Sequence, residues 1–316
     1  MTRPVRISVI GTESFALADS PDLDPVAAVS RYLDARFSEV LSDEPDFIVL
    51  GELSDLPADV ARDWGDAVRH VGDRGDRILN HVARIAERHR TNIAYSSLID
   101  VGAGVTNTTT IIDREGNTVA AYHKNYLLEV EREAGLLYGE VEEIATLDFG
   151  TVAPAICFDL NFPELRGRYA AAHPDVIAFS SAFHGSFLQQ VWAYECGSYL
   201  ASAIKSPSPS RVINPLGEVV ASTTNYTHSL TVDVELDRVV VHLDHNVETL
   251  RKIKKELGRA VSIADPGFLG SVLLLSHGSV SARDIAAEFG LEPIDAYWRR
   301  SRAARDEYFQ SPDRSD

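Results

Sequence analysis

Between Val152 and Arg166 a short run of small apolar residues, 152–156, turns at Cys157 into Asn161-Phe162-Pro163-Glu164, which has the form of a helix start. Proline fits the first helical turn because its missing N–H has no intrahelical partner there, and a glutamate at that end meets the positive pole of the helix. The stretch is therefore a strand that passes within a few residues into a helix. A thiol at such a corner points away from the sheet and lies beside free backbone N–H groups, which stabilise a thiolate and can hold an oxyanion. Cys196, within Trp192-Ala193-Tyr194-Glu195-Cys196-Gly197, has instead the setting of a buried core cysteine.

The remaining pattern extends this corner into a layered α/β protein. Strand-type runs occupy residues 5–10, 47–50, 93–99, 175–179, 199–204, 211–214, 218–222 and 230–234, with helical spacing over 26–41, 63–90 and 187–197. Residues 107–112 and 118–122 flank a Gly-containing turn, Asp113-Arg114-Glu115-Gly116-Asn117, and read as a hairpin. Hairpins and crossovers together imply a mixed sheet. From about residue 246 the character changes to a basic amphipathic helix over 247–258 and two helical stretches within 281–308, around Gly290-Leu291-Glu292-Pro293. The expected organisation is thus a main domain over residues 1–250 and a helical extension over 251–316 that serves docking or oligomerisation.

The charge balance narrows the partners. With 47 Asp and Glu against 30 Lys and Arg, the net charge is −17, which opposes nucleic acid and anionic membrane as ligands. Ala286-Ala287-Glu288-Phe289-Gly290-Leu291 is similar to half of a helix-turn-helix, but charges in the tail nearly balance and DNA binding is not expected. The 2 cysteines, far apart, supply neither a disulfide framework nor metal-ligand spacing. No window is apolar enough to span a bilayer, and the first residues run straight into a strand, so a cytoplasmic protein is expected.

Three ionisable residues stand at strand ends: Glu52 after Phe47-Ile48-Val49-Leu50, Lys124 after the hairpin, and Cys157. In this order, within Asp46-Phe47-Ile48-Val49-Leu50-Gly51-Glu52, Tyr122-His123-Lys124-Asn125-Tyr126-Leu127 and Cys157-Phe158-Asp159-Leu160-Asn161-Phe162-Pro163-Glu164, they resemble the nitrilase, or carbon-nitrogen hydrolase, superfamily. Residues 107–116, 193–195 and 210–217 extend the resemblance, which covers about residues 5–250. The chain departs from the usual family pattern at His123, Trp192, Cys196 and Ser208, positions that bear on substrate more than on chemistry.

The resemblance implies a four-layer α-β-β-α sandwich, a homodimer or larger homo-oligomer, and a Glu-Lys-Cys catalytic set needing no metal or organic cofactor. Glu52 is then the general base, Cys157 the nucleophile, and Lys124 with the backbone N–H of Phe158 the oxyanion donors. The second glutamate of such sites is assigned to Glu133, with Glu131 the alternative. His184, Phe183 and Tyr126 are expected to line the substrate pocket. Asp159 following the nucleophile favours the amidase branch, hence a small-molecule amide as substrate. Nitrile or N-carbamoyl hydrolysis by the same residues, a Cys-His hydrolase using His123, His173 or His184, and a non-catalytic binding role on this scaffold are the alternatives.

Overall fold

The structure is a computed structural model and describes residues 4–141 and 143–310; the ends of the expected domain ranges, 1–3 and 311–316, lie outside the described residues. By internal contacts the chain divides into two compact units, one of residues 5–234 and one containing Pro4 and the residues from Glu235 onward.

The first half of the larger unit runs β1 (Val5–Ile10), α1 (Pro25–Ser38), β2 (Phe47–Leu50), α2 (Trp64–Arg74), α3 (Arg77–His89), β3 (Asn92–Asp100), β4 (Val105–Ile112) and β5 (Thr118–His123). The second half runs α4 (Glu129–Glu133), β6 (Ala145–Leu147), β7 (Gly150–Ile156), α5 (Pro163–Ala172), β8 (Val176–Ser181), α6 (Leu188–Cys196), β9 (Tyr199–Ile204), β10 (Arg211–Ile213), β11 (Val219–Ser222) and β12 (Ser229–Val234).

These strands form two six-stranded sheets, in the orders β12-β1-β2-β3-β4-β5 and β11-β10-β9-β8-β7-β6. Each has a parallel centre, β1-β2-β3 in one and β7-β8-β9 in the other, flanked by antiparallel strands. The sheets stack face to face, with β2 against β8 and β9 and β4 against β7. The Ser180 hydroxyl donates across the stack to the Leu50 carbonyl at 2.7 Å. Outside the first sheet α1 and α3 bury Val29, Leu33, Phe37 and Val82 against Ile10, Ile48 and Ile93. Outside the second, α5 and α6 bury Leu165, Tyr169 and Trp192 against Ala155, Ile177 and Phe179. Each such large side chain contributes about 1.5–3 kcal/mol, so the four layers α-β-β-α are held by their two outer seams as well as by the sheet interface.

One detail departs from the periodicity. The helix expected over 63–90 is broken into α2 and α3, because Gly75 takes a φ of 52° and ends the first helix. An ion pair between Arg74 and Asp55 at 3.1 Å, both nearly excluded from solvent, fixes that break, and the same Asp55 carboxylate accepts from Tyr95 Oη at 2.7 Å and Ser97 Oγ at 3.1 Å.

The smaller unit runs β13 (Arg238–His242), α7 (Val247–Leu257), β14 (Val261–Ala264), β15 (Ser271–Ser276), α8 (Ala282–Glu288) and α9 (Ile294–Gln310). Besides the helices it holds an antiparallel sheet in the order β13-β15-β14. Its strands carry short continuous apolar runs, which periodicity cannot separate from buried helix. Val241, Ile253, Leu274 and Ile285 belong to a core of its own. Among the described residues no helix is long and apolar enough to cross a membrane.

Candidate active site

Strands of the two sheets deliver the three strand-end residues to one place, Glu52 and Cys157 from the parallel centres and Lys124 from the antiparallel β5. Glu52 lies two residues past β2, Lys124 one past β5, and Cys157 one past β7. Cys157 takes a φ of 45°, in the left-handed region that a non-glycine residue occupies only when its surroundings hold it there. A 3-10 turn over Cys157–Asn161 follows, then α5 with Pro163 in its first turn.

Asp159 holds this corner. Its Oδ2 accepts from the Ile156 N–H at 3.0 Å and the Tyr122 hydroxyl at 2.7 Å, and its Oδ1 accepts from the Tyr126 N–H at 3.0 Å. One carboxyl thus ties the residue before the nucleophile to the residues two before and two after Lys124. Burial pushes the Asp159 carboxyl up to about 7 against these donors, which favour its ionised form.

Around Lys124 the side chains form a closed set of charges. The ammonium, 1% exposed, donates to Glu52 Oε1 at 3.1 Å and to Glu131 Oε1 and Oε2 at 2.8 and 2.9 Å. Burial works against its charge, but the Glu52 and Glu131 carboxylates outweigh it and hold Lys124 above its ordinary value. Asn107, buried in β4, donates through its single amide nitrogen to Glu52 Oε1 at 2.9 Å and to Glu131 Oε1 at 3.0 Å. The Ala182 N–H donates to Glu52 Oε2 at 2.9 Å, and the Leu128 N–H to Glu131 Oε2 at 2.7 Å.

A carboxylate offers about four acceptor positions. The four donors on Glu131, counting Lys124 twice, occupy its capacity, so this residue fixes the lysine and has no free position for a proton. Glu52 receives two donors on Oε1 and one on Oε2, which leaves Oε2 with capacity to spare. The Cys157 thiol is in hydrogen-bond contact with Glu52 and with Ser181. Burial and the Glu52 charge push the thiol up to about 12, against the pull of Lys124 and Ser181. Desolvation thus outweighs the lysine and the helix start at this thiol, which suits the expected role of Glu52 as the base that takes its proton.

Glu133 is corrected by this geometry. Its side chain is 62% exposed and lies 3.8 Å from Arg132, whereas Glu131, one of three glutamates in α4, turns inward onto Lys124 at 1% exposure. Among the pocket residues, Tyr126 stacks on Phe162 with ring centres 3.6 Å apart, and Phe158 meets the same ring edge-on. Phe183 is 79% exposed. His184 accepts from the Ser186 N–H through Nδ1 at 3.0 Å, which places its proton on Nε2, and burial lowers its basicity. His123 is engaged through Nδ1 by the Thr108 and Thr106 hydroxyls at 2.8 and 3.2 Å. The polar groups with the largest influence on Cys157 are Glu52, Lys124 and Ser181. Cys196 is buried, its thiol directed at the Arg166 carbonyl at 3.7 Å.

Comparison with known proteins decides the family. The carbon-nitrogen hydrolase family model matches residues 35–242. The chain belongs to the carbon-nitrogen hydrolase family. It is similar to a hydrolase in the agr operon of Staphylococcus aureus, 28% identical over 246 residues, covering 70% of this chain and 90% of that protein. It is also similar to the mouse (Mus musculus) deaminated glutathione amidase, 30% identical over 136 residues, but that match spans only 42% of the mouse protein. In fold it is similar to an amidase from Nesterenkonia sp., with a TM-score of 0.63 at 19% identity over 74% of this chain and 91% of that one. A mutant of that amidase, at the same TM-score of 0.63 and 18% identity, is solved with the acetamide moiety of fluoroacetamide covalently added at its active-site cysteine. The family match makes the chain a carbon-nitrogen hydrolase, and the structural likenesses show that it shares the fold of these amidases.

Proposed function

We propose that this carbon-nitrogen hydrolase cleaves the C–N bond of a small amide through a thioester on Cys157. What supports the reading is the shared position of Glu52, whose carboxylate meets both the Lys124 ammonium and the Cys157 thiol at the ends of facing strands. The acetamide moiety of fluoroacetamide carried by the active-site cysteine of a Nesterenkonia amidase mutant is a precedent for a nucleophilic cysteine in this fold, by alkylation with the amide retained.

The steps follow from the donors present. Glu52 removes the thiol proton as sulfur attacks the amide carbonyl, and the oxyanion that forms draws on the Lys124 ammonium and the Phe158 N–H. Glu52 returns the proton to the departing nitrogen, and ammonia or an amine leaves. Glu52 then activates water against the thioester; the carboxylic acid departs and the proton returns to sulfur. Glu131 takes no part in proton transfer and keeps Lys124 cationic and aligned.

The test is intact-protein mass spectrometry of wild type and Glu52→Gln after exposure to small amides, carbamoyl amino acids and nitriles, with ammonia release followed in parallel. An acyl adduct on Cys157 is expected in wild type, and neither adduct nor ammonia release is expected in Glu52→Gln, which has no base to take the thiol proton. Ammonia release without any adduct, persisting in Cys157→Ala, would overturn the reading.

A further inference from the structure

Asn107 touches Glu52, Glu131 and Lys124. It lies in β4, all of whose residues are buried, and is itself fully excluded from solvent. Its carbonyl accepts from the Lys124 N–H at 2.8 Å, so the strand fixes where the lysine starts. Its amide nitrogen donates to Glu52 Oε1 and Glu131 Oε1 at 2.9 and 3.0 Å, while its Oδ1 has no protein partner. Both partners are carboxylates, which fixes the amide orientation: only the NH2 end can face them.

We propose that Asn107 is a positioning residue that selects which oxygen of Glu52 acts as the base. This rests on the reading of Cys157 as nucleophile and Glu52 as base. One neutral NH2 group supplies two donors to two acids that share one ammonium, and it does so without adding a second positive charge that would quench the base. By occupying Oε1 of Glu52 together with Lys124, it leaves the basic capacity on Oε2, which carries a single donor from Ala182. By occupying Oε1 of Glu131 it completes that carboxylate, so the two glutamates acquire different tasks from one side chain. A serine offers one donor and leucine none, whereas aspartate would place a third carboxylate beside the pair.

The experiment is carried out in a Cys196→Ala background, so that Cys157 is the single thiol, with iodoacetamide as the probe. Alkylation rate is measured against pH for Asn107, Asn107→Ser and Asn107→Leu, with Glu52→Gln as the reference without a base. Loss of a hydrogen bond to a charged group is worth about tenfold to a hundredfold. Asn107→Leu is therefore expected to slow alkylation at pH 7 by at least about tenfold and to move the acid limb of the profile upward, with Asn107→Ser between it and wild type. Thermal midpoints measured over the same pH range supply a readout independent of the thiol. Because Asn107 donates to the Glu52 carboxylate, the midpoint gap between wild type and Asn107→Leu is expected to shrink when both carry Glu52→Gln. A gap unchanged by Glu52→Gln, or a folded Asn107→Leu with an unmoved alkylation profile, overturns the proposal. If wild type alkylates no faster than Glu52→Gln, the nucleophile-base reading has failed, and the midpoint gap still decides whether Asn107 acts on the carboxylates.

Discussion

Glu131 holds the Lys124 ammonium with both carboxylate oxygens, at 2.8 and 2.9 Å, while Glu133, two residues on in the same short helix, stands in solvent. Two residues along a helix is roughly half a turn, so the two side chains face opposite ways. Glu131→Gln is expected to lower turnover by on the order of a hundredfold, as removal of one electrostatic stabiliser does. Glu133→Gln is expected to stay within about twofold of wild type, since a lone surface charge counts for little. Steady-state kinetics on any amide that turns over checks both.

The resting thiol leads to a spectroscopic expectation. With Cys157 pushed up to about 12, it is protonated at neutral pH and deprotonates only in strongly alkaline solution. The thiolate absorbance near 240 nm should therefore be absent from native protein at pH 7–9, and Cys157→Ala should not change the ultraviolet spectrum in that range. A thiolate signal at pH 7 lost in Cys157→Ala would contradict it.

Asp159 makes stability depend on pH with a definite sign. Its carboxyl is raised to about 7 in the folded protein from an ordinary value of 3.8. Between those pH values the folded state keeps a proton that the unfolded state has lost, so this residue's contribution falls as pH rises through the window. The linkage amounts to at most roughly 4 kcal/mol. Relative to wild type, Asp159→Asn should therefore be penalised most at pH 4 and least at pH 7, beyond any constant cost of its altered hydrogen bonds. Denaturant midpoints of both proteins at several pH values read this difference.

Gly139 sits where no side chain fits. A Cβ there would lie 2.0 Å from the His123 carbonyl oxygen and 2.7 Å from Asn125 Oδ1, and the Gly139 N–H donates to the Lys124 carbonyl at 2.9 Å. Gly139→Ala must displace the segment carrying the lysine. A loss of about 1–3 kcal/mol from overpacking is expected, with slower alkylation of Cys157 in whatever protein folds.

The buried Asp55–Arg74 pair can be broken from one side. Arg74→Met leaves the Asp55 carboxylate with two hydroxyl donors and no cation, and is expected to cost about 3–5 kcal/mol. A fall in the denaturant midpoint with unchanged slope measures it.

The legible part of the site was what strand ends reveal. Glu52, Lys124 and Cys157 each follow a recognisable apolar run, and a functional group just past a buried strand is where open sheets place chemistry. Glu131 was not separable from Glu133, because Glu129-Val130-Glu131-Arg132-Glu133 offers three acids and only the rotation of a five-residue helix chooses between them. Asn107 opens a stretch that carries the family resemblance, but its place in the site was not legible: in Thr106-Asn107-Thr108-Thr109-Thr110 it is one polar residue among four threonines in a strand that reads as a hairpin arm. The raised thiol was equally hidden, since desolvation belongs to the assembled layers and to no local stretch.

The bond from Ser180 to the Leu50 carbonyl joins strands of opposite sheets beside the site. Glu52 and Lys124 come from one sheet, Cys157 and the Ala182 amide from the other. Neither half of the sandwich owns a complete set of reacting groups, so a partly folded chain with one sheet formed carries an unassisted, protonated sulfur. Reactivity is then a reporter of docking: Glu52 can take the thiol proton only where the two sheets have met.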